Sequence, residues 1–203
     1  MKELAWIFGK SSDFSQKIVA ELESKDISVY QFGRDNIDYN NFDAFQMMKV
    51  YPDIVILNAN IEEKIALFID SENYLNIQTE QISDMLTKFA PVFLFFTKLV
   101  KWLESKGKAV SICAISSSIT AWPQKSNEYV MYAVLRSMLQ QVVFSASKNV
   151  TTAFCVSPSG IDSNNIDEYA KRIVELTLAK TDLKLIDLTN DQNLLNLEKF
   201  KNE

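Results

Sequence analysis

The chain has 203 residues, 47% hydrophobic and 23% charged, a globular composition with room for a substantial core. Its formal net charge of −5, without a basic cluster, argues against a nucleic-acid partner. Histidine is absent, which removes Ser-His catalysis, imidazole acid–base chemistry and His-ligated zinc together.

The longest apolar run, Phe89 to Phe96, is too short to span a bilayer and is followed by Lys98 and Lys101, so no membrane association is expected. The opening MKELAWIFGK has only a brief apolar run before Lys10 and does not read as a signal peptide, so a cytoplasmic location is expected. Cys113 and Cys155 each sit in an apolar run without metal-ligand spacing. They are expected to be reduced core thiols, and no metal site is expected.

Short apolar runs alternate with helical periodicity, which predicts an α/β fold in one domain over 1–203: a Rossmann-like doubly wound parallel sheet with helices on both faces. Leu4 to Phe8 reads as a first strand, nearly all apolar and so buried on both faces. Asp13 is the expected cap of a helix with the face Phe14, Ile18, Val19 and Leu22. Ile27 to Phe32 is a second strand, and a short helix near Phe42, Phe45 and Met48 leads through Pro52 to a third, Asp53 to Leu57. Ile61 to Gln78 carries no readable pattern. A long helix is expected from about Thr79 to Glu104, bent or interrupted at Pro91 and stopped by Gly107. Ala109 to Ile115 is a fourth strand, Glu128 to Ser147 a helix, Thr151 to Val156 a fifth strand, Ile166 to Leu178 a helix and Leu183 to Leu188 the last strand. In such sheets the ligand lies at the carboxyl ends of the strands.

The candidate motifs fall at those ends. Gly9-Lys10-Ser11-Ser12-Asp13-Phe14-Ser15 joins the first strand to the first helix, where a dinucleotide fold cradles a pyrophosphate. Gly33-Arg34 ends the second strand, where an NAD site wants an acid; an arginine suits a 2′-phosphate, and a solvated surface arginine is the plainer alternative, with Asp35 beside it. Leu57-Asn58-Ala59-Asn60 ends the third strand. Ser116-Ser117-Ser118 follows the fourth, and Tyr132 and Arg136 stand four apart on the next helix, so they leave the same face. Val156-Ser157-Pro158-Ser159-Gly160 follows the fifth.

In this order the motifs resemble those of the short-chain dehydrogenase/reductase family over essentially the whole chain, from Leu4 through Leu188. The resemblance implies an NAD(P)-dependent oxidoreductase acting on a carbonyl/alcohol pair of unknown identity, with NADP preferred and NAD possible. It implies Tyr132 as acid/base, Arg136 as activating cation where the family has lysine, and Ser118, with Ser117 as fallback, as the group orienting the substrate oxygen. Tyr129 competes with Tyr132, but Ala133 stands where its cation should be. Cofactor binding is implied for Gly9, Ser11, Ser12, Arg34, Asn58, Ala59 and Arg136.

Five positions depart from the family pattern. Asp13 and Ser15 replace glycines, Asn60 replaces a glycine, Thr87 stands for a water-anchoring asparagine and Arg136 for the lysine. A carboxylate ~4 Å from a phosphate costs ~4 kcal/mol at an effective dielectric of about 20, before screening. These departures support a second reading, a dehydrogenase-like domain without turnover that serves as a binding or regulatory module. The family's helix-to-helix pairing further implies a homodimer or homotetramer through the long helix and the Tyr132 helix, using Phe95, Phe96, Leu99 and Trp102 with Met138, Leu139, Val142 and Val143; the alternative is that these residues cover the sheet. The short passage from Gly160 to the Asp167 helix implies a reduced substrate lid.

Overall fold

A computed structural model of the chain describes residues 2–58, 79–116, 130–146, 152–158, 161–180, 185–188 and 192–193, with the backbone alone for 79–82, 84–85, 130–135 and 192–193. Six strands run parallel: β1 (Leu4–Phe8), β2 (Ser28–Phe32), β3 (Ile54–Leu57), β4 (Ser111–Ile115), β5 (Thr152–Ser157) and β6 (Leu185–Asp187). The antiparallel β7 (Gln192–Asn193) pairs with β6. It is too short to show the alternation that marks a strand in sequence. The helices are α1 (Asp13–Ser24), α2 (Phe42–Gln46), α3 (Thr79–Ser105), α4 (Val130–Phe144) and α5 (Ile166–Leu178).

Alternation along β1 sorts the core into two layers. Trp6 and Phe8 face one side, with Phe42 and Phe45 of α2, Phe95, Phe96, Leu99 and Trp102 of α3, and Leu139, Val142 and Val143 of α4. Ala5 and Ile7 face the other, with Ile18 and Leu22 of α1 and Ile173 and Val174 of α5. The first layer is aromatic: the Trp6 ring meets Phe45 edge-on at 5.3 Å and stacks on Trp102 at 6.3 Å. Every residue of β3, β4 and β5 is buried, as expected of strands covered by helices on both faces. Cys113 and Cys155 are buried and unbridged, and burial pushes the Cys113 thiol far above its ordinary range. Phe95, Phe96, Leu99, Trp102, Leu139, Val142 and Val143 are core residues that cover the sheet, and Met138 is half-buried beside them.

Two expectations for the helices are corrected. α3, expected to be bent or interrupted at Pro91, is not interrupted there. Proline there cannot donate to the carbonyl of Thr87, but Thr87 lies on the exposed side, where water can donate to that carbonyl instead. The cap of α1 is Ser12 rather than Asp13: the Ser12 side chain accepts the Ser15 N–H at 3.1 Å, and Asp13 is the first helical residue, exposed. No described helix is long and apolar enough to cross a membrane.

Strand order positions the site. The sheet reads β2-β1-β3-β4-β5-β6-β7, so the chain steps outward from β1 to β2 and then returns past β1 to β3. The first half has two strands, where the six-stranded dinucleotide arrangement has three. The switch point lies between β1 and β3. β2 becomes the outer strand of this half, and Asn36 blunts its end: its amide donates to the Gln31 carbonyl at 2.9 Å and its oxygen accepts the Gly33 N–H at 2.7 Å.

Candidate functional site

Gly9 leaves β1 with φ of 112°, a backbone angle that glycine adopts without strain, and it donates to the Phe32 carbonyl at 2.8 Å. The chain then turns through Lys10 and Ser11 into the Ser12 cap. Asn58, at the end of β3, reaches across the switch point. Its amide donates to Ser12 Oγ at 3.1 Å and to Ser15 Oγ at 2.8 Å, and Ser12 and Ser15 are themselves 3.1 Å apart. Ser15 is fully buried, so the hydroxyl at a glycine position turns inward to the β3 end and away from the ligand side. Asn58 is buried too, and its side chain staples α1 to the sheet. The first turn of α1 thus keeps its amides capped by a neutral hydroxyl, with the Asp13 carboxylate exposed beside it.

Lys10 is a residue that motif reading passed over. Its Nζ lies 2.6 Å from Asp35 Oδ2, across the exit of β2. Gln16 fixes the same corner, its amide donating to the Lys10 carbonyl at 2.7 Å and to Gln31 Oε1 at 2.9 Å. Arg34 is exposed at that exit, and its charge opposes the burial that pushes Tyr39 up to about 12. Lys10 and Arg34 place two cations at the ends of β1 and β2.

At the other end, Arg136 is only 7% exposed, and its Nη1 donates to the Ile115 carbonyl, the last residue of β4, at 3.1 Å. One turn on, Gln140 donates to Ser116 Oγ at 2.8 Å, both groups buried. The first serine of the cluster is therefore held by α4, an anchor the sequence signalled only through the i, i+4 spacing of Arg136 and Gln140. Ser117, Ser118, Ala59, Asn60, Trp122, Tyr129, Ser159 and Gly160 lie outside the described residues, as does the side chain of Tyr132, whose backbone belongs to α4. Thr87 donates to the Ser83 carbonyl of its own helix at 2.8 Å and is exposed, a structural arrangement.

Ser157 ends β5 fully buried, and its hydroxyl has no hydrogen-bond partner among the described residues. Alternation puts it on the α3–α4 face with Cys155, in register with the buried Asp187 of β6. Between β5 and α5 the described residues form a tight turn: the Asp162 carboxylate accepts the N–H groups of Asn164 and Asn165, and Asn165 accepts that of Asp162. No helix or strand stands there to cover a substrate among the described residues.

Parallel strands wound in this order, with helices on both faces and a glycine turn at β1, make the fold that short-chain dehydrogenases have. Solved structures show it directly. A small-chain dehydrogenase matches at TM-score 0.66 and 15% identity, over 93% of this chain and 96% of that one. A small-chain dehydrogenase in complex with NADPH matches at 0.62 and 16%, over 93% and 97%. Serine dehydrogenase from Escherichia coli matches at 0.66 and 12%, over 91% and 96%. No family model matches the chain, and no curated protein is similar to it in sequence.

Proposed function

We propose that the chain is an NADP-dependent oxidoreductase that interconverts a carbonyl and an alcohol. The observation that carries this reading is the contact between α4 and β4. Arg136 and Gln140 fasten the helix bearing Tyr132 to the strand end that opens the serine cluster. The nucleotide end fits a dinucleotide: Gly9 supplies the turn, Ser12 leaves the α1 amides without a carboxylate cap, and Ser15 points inward. The unpartnered Ser157 hydroxyl offers a polar group at the β5 end. A solved dehydrogenase that holds NADPH is matched nearly end to end, which favours a cofactor of that size.

In this reading Gly9, Ser11 and Ser12 hold the pyrophosphate, Arg34 the 2′-phosphate, and Asn58, Ala59 and Arg136 the inner half. A bound nicotinamide would supply hydride to the substrate carbon, or accept it from there. Tyr132 donates its phenolic proton to the substrate carbonyl oxygen in reduction and takes it back in oxidation. An unperturbed phenol titrates near ~10, and the Arg136 guanidinium, one turn away, favours the phenolate. Ser118 orients the substrate oxygen by a hydrogen bond. Arg136 does not give up a proton, so the phenol is reprotonated from water and not through a lysine relay. Self-association as a homodimer or homotetramer through α3 and α4 belongs to the same proposal, and Leu86 and Leu94 of α3 are 42% and 54% exposed; a monomeric mass at micromolar concentration excludes it.

The test is Tyr132→Phe in a screen of carbonyl compounds with NADPH. Turnover should fall about 10²- to 10⁴-fold with NADPH affinity unchanged; unchanged turnover removes Tyr132 from the reaction. The second reading, a binding module without turnover, draws on the engagement of Arg136 with a backbone carbonyl, a structural duty that a lysine-like catalytic cation does not need. Nucleotide binding without turnover on any carbonyl compound would favour it.

A further inference from the structure

The Lys10–Asp35 pair has a use within the NADP reading, on which this inference rests. The two side chains cross above Gly33 at the exit of β2. A Cβ on Gly33 would stand 2.8 Å from Asp35 Oδ1 and 3.1 Å from Lys10 Cβ, so the pair closes over a position that glycine leaves open. Lys10 Nζ and Asp35 Oδ2 are 2.6 Å apart with side chains 42% and 61% exposed, a contact that solvent and ligand can both reach. The corner beneath is rigid: Gln16 ties the Lys10 carbonyl to Gln31, and Asn36 ties Gly33 to Gln31. Lys10 is thus held where its ammonium faces the strand ends, while its partner sits one residue beyond Arg34, at the base of a turn closed by the Asn36 and Ile37 N–H groups on the Gly33 carbonyl.

We infer that Asp35 is a built-in competitor for the cofactor's 2′-phosphate, a carboxylate that occupies the Lys10 ammonium until a phosphate dianion displaces it. Among the described residues Asp35 is the anionic partner of the ammonium. A phosphate arriving beside Arg34 brings a larger charge to the same corner, and the carboxylate must then swing into solvent, which its exposure permits. The device lowers affinity for NADPH while leaving NADH indifferent to it, because NADH presents only hydroxyl groups at that corner. Asp35 thereby sets how strongly the site discriminates between the two cofactors.

The experiment is calorimetric titration of the wild-type chain, Asp35→Asn and Lys10→Gln with NADPH and with NADH, alongside thermal melts that confirm each variant is folded. Exposed ion pairs contribute little, so the expected gain for Asp35→Asn is about two- to fivefold in NADPH affinity with NADH unchanged, and Lys10→Gln should lose a similar factor for NADPH alone. Unchanged NADPH affinity in Asp35→Asn overturns the inference, as does a loss of NADH affinity, which would make Asp35 the acid that holds the ribose hydroxyls. Failure of the wild-type chain to bind either cofactor is a different result: it overturns the NADP reading itself, and the inference with it.

Discussion

The two ends of the site are built from different materials. At the nucleotide end, short side chains make the joints: Asn58 bridges Ser12 and Ser15 within 3.1 Å, and the helix N-terminus sits close against the sheet. At the catalytic end, long side chains do it, with Arg136 and Gln140 reaching from α4 to Ile115 and Ser116. Both ends depart from the family pattern, yet in each the substituted residue has become a cross-link. Ser15 stands for a glycine that allows close helix–strand packing, and its buried hydroxyl is accommodated because Asn58 takes it up. Arg136 stands for a lysine and caps a strand end. The proposed nucleotide end joins α1 to the sheet by hydrogen bonds between side chains, and the proposed catalytic end gives Arg136 a structural duty.

The comparison can be broken at the catalytic end first. Arg136→Met keeps the length and apolar stem but removes the donor to the Ile115 carbonyl, a hydrogen bond to a charged group worth about 1.5–3 kcal/mol, lessened by the relief of a buried charge. A lowered urea midpoint with unchanged slope is the expected reading. An effect below about 0.5 kcal/mol would mean that the arginine is chiefly chemical. At the nucleotide end, Tyr39 gives a pH test. Burial raises its phenol to about 12 against an unfolded value near ~10. The folded state therefore holds the proton more tightly, so stability present below pH ~10 is lost as pH rises to about 12, by about 2 kcal/mol. Tyr39→Phe should remove that decline, read as the change in unfolding free energy between pH 9 and pH 11, a window set by those two values. The smallest effect is expected for Ser15→Gly, which restores the family residue: loss of the hydroxyl's bonds to Asn58 and Ser12, with a glycine in the first helical turn, costs about 1–2 kcal/mol in all. NADPH affinity should not change, since the hydroxyl faces inward.

Much of the fold was legible because its signals are periodic. Ile166–Leu178 emerges as α5 with the predicted bounds, and the all-apolar strands are buried as their composition requires. Signals failed where several residues competed for one role. Ser11, Ser12 and Asp13 can all cap a helix, and the structure chooses Ser12 because its hydroxyl also meets Ser15 and Asn58, a contact 46 residues away in sequence. The missing strand between β2 and β3 was implicit in the short stretch that holds only the five-residue α2. The apolar faces of α3 and α4 read as an interface because sequence does not say which side meets a sheet. Lys10 and Gln140 went unread since single polar residues carry no periodicity; their partners, Asp35 and Ser116, are named only by the fold.

If the chain binds NADP, the turn between β1 and α1 accepts a dinucleotide despite Asp13 and Ser15. Calorimetric titration of the purified chain with NADPH and NADH decides this. Saturable binding of both is expected, with NADPH tighter through Arg34 and Lys10. No heat from either cofactor at millimolar concentration would contradict it and leave the fold as a scaffold for another ligand.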